Sequence, residues 1–284
     1  MKKRHYLKTE CRIRNKIEIE KHYDLRYGAP GMPRHGKKGK TPEEMARQNF
    51  WAKCRYLRRL IELNFGEGDW YIVLTCRKED RPSAEEAPKR VRAFRDRLRA
   101  EYKKRGWALK YIITCETGQK GAVHWNLILN DMHDNADSTA KLVRKLWKWG
   151  RPHFTALDDT GDYSRLAEYI VKETKNRIER GETIEKLSYC PSRNLTKPVV
   201  RTEKVRAEAW RKQPQIPRGW ELVPGTLVNG KNKRFGLPYQ RYTIRKKAEK
   251  EEPHEAGRHL HNRRNKGTRK GKRKGNVHNA HKKE

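Results

Sequence analysis

The sequence predicts an α+β protein in which a central antiparallel sheet is covered by helices, with a basic helical N-terminal extension and a basic tail. Three observations carry that expectation. Between residues 66 and 180, short apolar runs and amphipathic stretches follow the order strand, helix, strand, strand, helix, short strand, helix. Two of those strands are joined by only a tight polar loop and so should pair as a hairpin. Only 34% of the 284 residues are hydrophobic while 37% are charged, so the core must be modest and the flanks solvated.

Four segments are expected: a basic arm and amphipathic helix over residues 1–65, a compact domain over 66–180, a basic extension of unassigned fold over 181–250, and a disordered basic tail over 251–284. Residues 1–40, with "GAPGMPRHGKKGK" near their end, read as an irregular arm. The helix that follows announces itself in "TPEEM": Thr41 as cap, Pro42 at the first helical position and Glu44 three residues after the cap. Phe50, Cys54, Leu57 and Ile61 recur on one side of it, leaving Arg55, Arg58 and Arg59 for a basic outer face. "DWYIVLTC" from residue 69 is apolar without alternation, as a strand buried on both faces requires. A helix over 84–105, the strand "WALKYIITC", the strand "AVHWNLIL", the helix "STAKLVRKLWKWG", the extended "PHFTAL" and the helix "YSRLAEYIVKETKNRI" complete the domain.

Charge names the partner class. Seventy Lys+Arg against 35 Asp+Glu give a net charge of +35, which favours a polyanion such as nucleic acid. The five cysteines form no CxxC pair, which speaks against a zinc ribbon and a disulfide framework and for a reducing cytoplasm. No run of about 18 apolar residues suggests a membrane span.

The chemistry lies in the hairpin. Closing "KYIITCE" and "AVHWNLI" around Lys120 opposes Cys115 to Trp125, Ile113 to Leu127 and Tyr111 to Leu129, which makes one face apolar. The other, open face then holds Glu116 opposite His124 and Thr114 opposite Asn126. Side chains two apart on a strand point the same way, so Glu116, His124 and Asn126 converge on one patch. A carboxylate, an imidazole and an amide suit Mg²⁺ or Mn²⁺ with positions left for phosphate oxygens. On the last helix, turning about 100° per residue, Tyr163, Leu166, Ala167, Ile170 and Thr174 share a core face. Arg165, Tyr169, Lys172 and Asn176 share the opposite one, which sets Tyr169 among cations. Tyr163 is therefore expected to be structural and Tyr169 to be the reactive phenol. Arg165, Asn176, Arg193 and Asn194 are candidate DNA contacts.

In these three ordered blocks, "WYIVLTC", "HWN" and "YIVK", the chain resembles the HUH endonucleases, the rolling-circle replication initiators of plasmids, phages and small single-stranded DNA viruses. That resemblance implies that Glu116, His124 and Asn126 hold the metal, that Tyr169 attacks single-stranded DNA at an origin, and that Lys172 assists at the phosphate. It further implies a 5′-phosphotyrosine intermediate, a central antiparallel sheet of ferredoxin-like type, and a host helicase and polymerase as partners. The second histidine of the family's motif is Asn126 here, a position where related viral initiators carry glutamine. No GxxxxGK[ST] loop is present, so no helicase is suggested. The competing expectations are a non-catalytic ferredoxin-like binder of RNA or single-stranded DNA, whose open face would display aromatics, and an HUH transposase or relaxase.

Overall fold

A computed structural model of the chain describes residues 5–23, 41–117, 122–133, 138–179, 189–232 and 236–247, with only the backbone for residues 117 and 173–179. In chain order the elements are β1 (Tyr6–Ile13), β2 (Lys16–His22), α1 (Pro42–Asn64), β3 (Trp70–Leu74), α2 (Glu86–Lys104), β4 (Tyr111–Thr117) and β5 (Val123–Leu129). They continue with α3 (Thr139–Leu146), β6 (Pro152–Ala156), α4 (Ser164–Glu179), β7 (Tyr189–Pro191), β8 (Val200–Val205), β9 (Trp220–Leu222), β10 (Val228–Lys231) and β11 (Pro238–Lys246). The expected α+β class, a sheet covered by helices, is what forms.

Local chemistry sets the helix ends. The Thr41 hydroxyl accepts from the Glu44 amide at 3.2 Å while the Glu44 carboxylate accepts from the Thr41 amide at 3.3 Å, closing the capping box read from the sequence. Ser138 caps α3 by accepting from the Lys141 amide. At the far end of α2, Gly106 takes φ +76°, its N–H bonds the Lys103 carbonyl and the Trp107 N–H reaches back to the Tyr102 carbonyl at 2.9 Å. That paired closure needs the left-handed conformation glycine adopts without strain.

Two antiparallel sheets result. One runs β6-β3-β5-β4-β7; the other runs β10-β11-β2-β1-β8, with β9 beside β11. On one face of the five-stranded sheet, Ile113, Trp125, Leu127 and Leu129 pack under Phe94, Leu98 and Tyr102 of α2 and Leu142 and Val143 of α3. On the other face, Ile112 and Ile128 pack under Leu57 and Ile61 of α1 and Ala167, Ile170 and Val171 of α4. Helices therefore cover both faces, which explains the unbroken apolar run of β3.

Several sequence expectations are corrected. Residues 6–22, read as part of an irregular arm, form the β1–β2 hairpin, turned at Arg14 and Asn15 with Arg14 at φ +50°. The alternation Ile17, Ile19 against Glu18, Glu20 in β2 is the signal, and the buried Ile17 and Ile19 join Tyr242 and Ile244 of β11 in a third small core. The arginines expected on a solvated outer face of α1 are not outside. Arg58 and Arg59 bind Glu18, and Arg55 binds Glu20 at 3.3 Å, because β2 lays its acidic face on the helix. The face of the β4–β5 hairpin expected to be open is covered: Thr114 is 2% and Asn126 1% exposed. Cys115, expected on the covered apolar face, is exposed, since it lies toward the end of its strand. The loop around Lys120, the stretch "GAPGMPRHGKKGK" and the tail 251–284 lie outside the described residues.

Candidate active site

The hairpin register is the one read from the sequence. Glu116 opposes His124, Cys115 opposes Trp125, Thr114 opposes Asn126, and the pairing runs on to Tyr111 and Leu129. Because the period of a strand is two residues, this register alone sends Glu116, His124 and Asn126 to the α4 side of the sheet. There the Glu116 Oε2 lies 2.9 Å from His124 Nε2. Burial grades steeply across the patch: the Asn126 side chain is sealed in, while Glu116 and His124 keep 12% and 27% of their side chains exposed. The two outermost groups are thus reachable from solvent and the third is held by the core.

Helix α4 brings in the phenol. Ala167, Ile170 and Val171 bury one side of the helix and so turn Tyr169 to the other, where 46% of it is exposed. Its hydroxyl stands 3.5 Å from Glu116 Oε2. Arg165 and Lys172, four residues before and three after it, are exposed on the same stripe. Tyr163, by contrast, is buried and donates its hydroxyl hydrogen to the Asp158 carbonyl at 2.9 Å, which makes it structural. Two causes hold the Tyr169 phenol above its ordinary value of 10: burial first, then the Glu116 carboxylate beside it. Tyr169 is therefore a neutral phenol next to an anion, and it needs added positive charge to become a nucleophile.

Asn126 provides the test of whether an ion fits here. Its Oδ1 accepts from the Tyr71 hydroxyl at 2.8 Å, while its Nδ2 is buried with no partner. Turning the amide by half a rotation exchanges the two atoms and leaves the packing unchanged. The Nδ2 then meets the Tyr71 oxygen, and Oδ1 becomes a buried acceptor lacking a donor beside a carboxylate and an imidazole. A hard divalent cation satisfies that acceptor. Among the described residues no three His, Cys, Asp or Glu side chains are grouped for an ion, so this set depends on the amide for its third donor.

Tyr71 was missed in the sequence because "WYIVLTC" reads only as a buried strand. Its hydroxyl holds Asn126, and its ring meets that of Tyr169 edge-on at 6.5 Å between centroids. Burial and the neighbouring Tyr169 and Glu116 push its own phenol far up, so it serves as a donor. The sheet also places His153 in the row of Asn126, across β3 from it. No local signal marks either residue, since both depend on which strands adjoin β5.

The remaining candidates are not gathered at this patch. Arg193 and Asn194 follow β7 and lie beside Leu109 and Tyr111, at the end of β4 opposite Glu116; Asn194 Nδ2 donates to the Leu109 carbonyl at 3.1 Å. The side chain of Asn176 lies outside the described residues. No helix among the described residues is long and apolar enough to cross a membrane.

Residues 69–174 match the model of a family described as replication-associated protein ORF2. The match begins just before β3 and ends within α4, so it contains Glu116, His124, Asn126, Tyr169 and Lys172. No curated protein and no solved structure gives a significant match to the chain.

Proposed function

We propose that this protein initiates rolling-circle replication by nicking and rejoining single-stranded DNA at an origin, with Tyr169 as the nucleophile. The observation that carries the reading is the meeting of three elements: Glu116 of β4, 2.9 Å from His124 of β5 and 3.5 Å from the Tyr169 hydroxyl of α4. That meeting falls inside a segment similar to replication-associated proteins.

Glu116, His124 and Asn126 would hold the divalent cation, Mg²⁺ or Mn²⁺. Bound there, the ion would polarise the scissile phosphate and offset the Glu116 carboxylate that keeps the Tyr169 phenol protonated. The chain's own residues do the rest. Tyr169 Oη forms a bond to phosphorus as the bond from phosphorus to the 3′-oxygen breaks; the phenol gives up its proton and the departing 3′-oxygen gains one. The product is a 5′-phosphotyrosine and a free 3′-hydroxyl, and the reverse attack by a 3′-hydroxyl restores the phosphodiester and the phenol. Lys172 and Arg165, flanking Tyr169 on the exposed stripe, would bind phosphate oxygens and stabilise the charge that develops on them. Tyr71 fixes the Asn126 amide and buttresses the Tyr169 ring. Host helicase and polymerase would act on the opened origin.

A non-catalytic binder that stacks bases on an open sheet face is disfavoured, because helices cover both faces of the five-stranded sheet. An HUH transposase or relaxase would use the same groups and differ in the DNA it acts on.

The test is a covalent adduct. Full-length protein, Mn²⁺ and labelled single-stranded DNA from the gene's own locus should yield a protein–DNA species that survives denaturation. Tyr169→Phe should abolish it and Tyr163→Phe should not. Loss of the adduct in the Tyr163 variant alone, with Tyr169→Phe still competent, would overturn the assignment. Calorimetric titration of Mn²⁺ should show weaker binding in His124→Ala and tighter binding in Asn126→His, which supplies a second imidazole.

A further inference from the structure

Away from the candidate active site, a groove of about 860 Å³ opens between the last turns of α2 and the turn that follows β7. Its charge is one-sided: Arg95, Arg99, Lys103 and Arg193 line it and no carboxylate does. The three α2 residues are spaced four apart and so form one stripe along the helix. Asp96 offsets part of that charge, reaching Arg95 at 2.8 Å and Arg99 at 3.1 Å. Arg99 is also fixed from below by the Tyr111 hydroxyl at 3.2 Å.

Trp107 stands at the rim. It is 39% exposed, and its indole has no hydrogen-bond or ring partner among the described residues. Trp125 and Trp147, by comparison, are sealed in the core against each other. The Trp107 backbone is nonetheless held, through the closure at Gly106 that ties its N–H to the Tyr102 carbonyl. A large, flat, rigidly mounted and unpartnered ring beside a stripe of cations is the pairing that binds single strands: cations track the phosphates and the ring stacks a base. Duplex DNA offers no free base face to such a ring.

We propose that this groove is a second single-strand DNA site, with Trp107 stacked on a base and Arg95, Arg99, Lys103 and Arg193 on phosphates. The assignment rests on the proposed function for its choice of DNA. Tyr111 and Glu116 are five residues apart on β4 and face opposite sides of the sheet, so the groove and the Glu116 patch are separated by about 17 Å or more. The groove therefore holds DNA outside the scissile step. It anchors the strand while Tyr169 acts, and keeps the severed strand near for rejoining.

The experiment measures anisotropy of a labelled single strand of about 16 nucleotides with full-length protein, in wild type, Trp107→Ala, Trp107→Phe and Arg193→Gln. Trp107→Ala should weaken binding about tenfold while Trp107→Phe keeps most of it. Arg193→Gln should lower the slope of log K against log salt by about 0.7. Binding of a duplex of equal length should not respond to Trp107. Wild-type affinity in a folded Trp107→Ala protein would overturn the proposal, as would tighter binding of RNA of the same sequence or an equal loss on duplex. Adduct formation by Tyr169 separates the two readings. An adduct without Trp107 dependence removes the groove alone; Trp107-dependent binding without an adduct removes the nicking reaction and leaves the groove.

Discussion

The same helix, α1, joins both sheets, but by opposite physics. Toward the five-stranded sheet it presents Leu57, Leu60 and Ile61, which are 2% exposed or less and share a core with Ile112, Ile128 and α4. Toward the six-stranded sheet it presents Arg55, Arg58 and Arg59, which meet Glu18 and Glu20 of β2. Apolar burial is non-directional and adds with area. Ion pairs at a half-buried interface give up much of their attraction to desolvation and contribute orientation more than stability. The comparison teaches that the five-stranded sheet, with the Glu116 patch on it, carries its own stability. The hairpin and the C-terminal strands are docked on that body through charge.

The largest expected effect tests the first half of that statement. Trp147 is 1% exposed, touches the rings of Phe94, Trp125 and Trp149, and donates its indole N–H to the Thr75 carbonyl at 2.8 Å. Trp147→Ala should destabilise by about 3–5 kcal/mol in urea unfolding. A loss under about 1 kcal/mol would mean that the core of this sheet is not the source of stability.

Removing one anion from the second interface should do less. Glu18 holds Arg59 and, with Glu62, Arg58. Glu18→Ala leaves those guanidiniums short of a partner and should cost about 1.5–3 kcal/mol. The Tyr169 adduct should still form at a temperature where the variant is folded. Loss of the adduct in a folded Glu18→Ala protein would show the two sheets to be functionally coupled.

Acid sharpens the same contrast. Burial alone would raise the Glu18 carboxyl, but Arg58 and Arg59 outweigh it and hold the group below its ordinary value of 4.5. A folded value below the unfolded one means that the contribution is complete above pH 4.5 and is lost as pH falls through the lower folded value. Burial instead holds Glu62 above its ordinary value, so its contribution fades as pH rises. Thermal melts of wild type and Glu18→Gln should therefore converge below pH 4.5. Parallel curves would mean that Glu18 is not paired in the folded state. The smallest effect is expected at Arg241, which is exposed and lies 3.2 Å from Glu20: Arg241→Ala should change stability by under about 0.5 kcal/mol.

Much of the site was legible in the sequence, for reasons that can be named. The β4–β5 hairpin is local, so its register followed from matching apolar Ile113, Leu127, Tyr111 and Leu129, and a slip of one residue would have exposed all of them. The sides of α4 followed from helical period, which put Tyr163 inside and Tyr169 outside. The β1–β2 hairpin was passed over because the charge of the first 40 residues masked the short alternation in "KIEIEKH". Its partners, β8 and β11, lie some 180 to 240 positions further along the chain, where no local pattern points to them.

By itself, then, the sequence determined whatever rests on neighbours in the chain: the capping box at Thr41, the faces of α4, and the opposition of Glu116 to His124. Caps, helical period and hairpin register are set within a few residues and need no other part of the molecule. Only the tertiary structure decided which elements cover which faces. It buried Asn126 under α4, set Tyr71 from β3 against that amide, turned the arginines of α1 inward onto β2, and left Trp107 bare at the rim of a basic groove. Each of these depends on contacts between segments far apart in the chain, where packing and desolvation, rather than local preference, choose the partner.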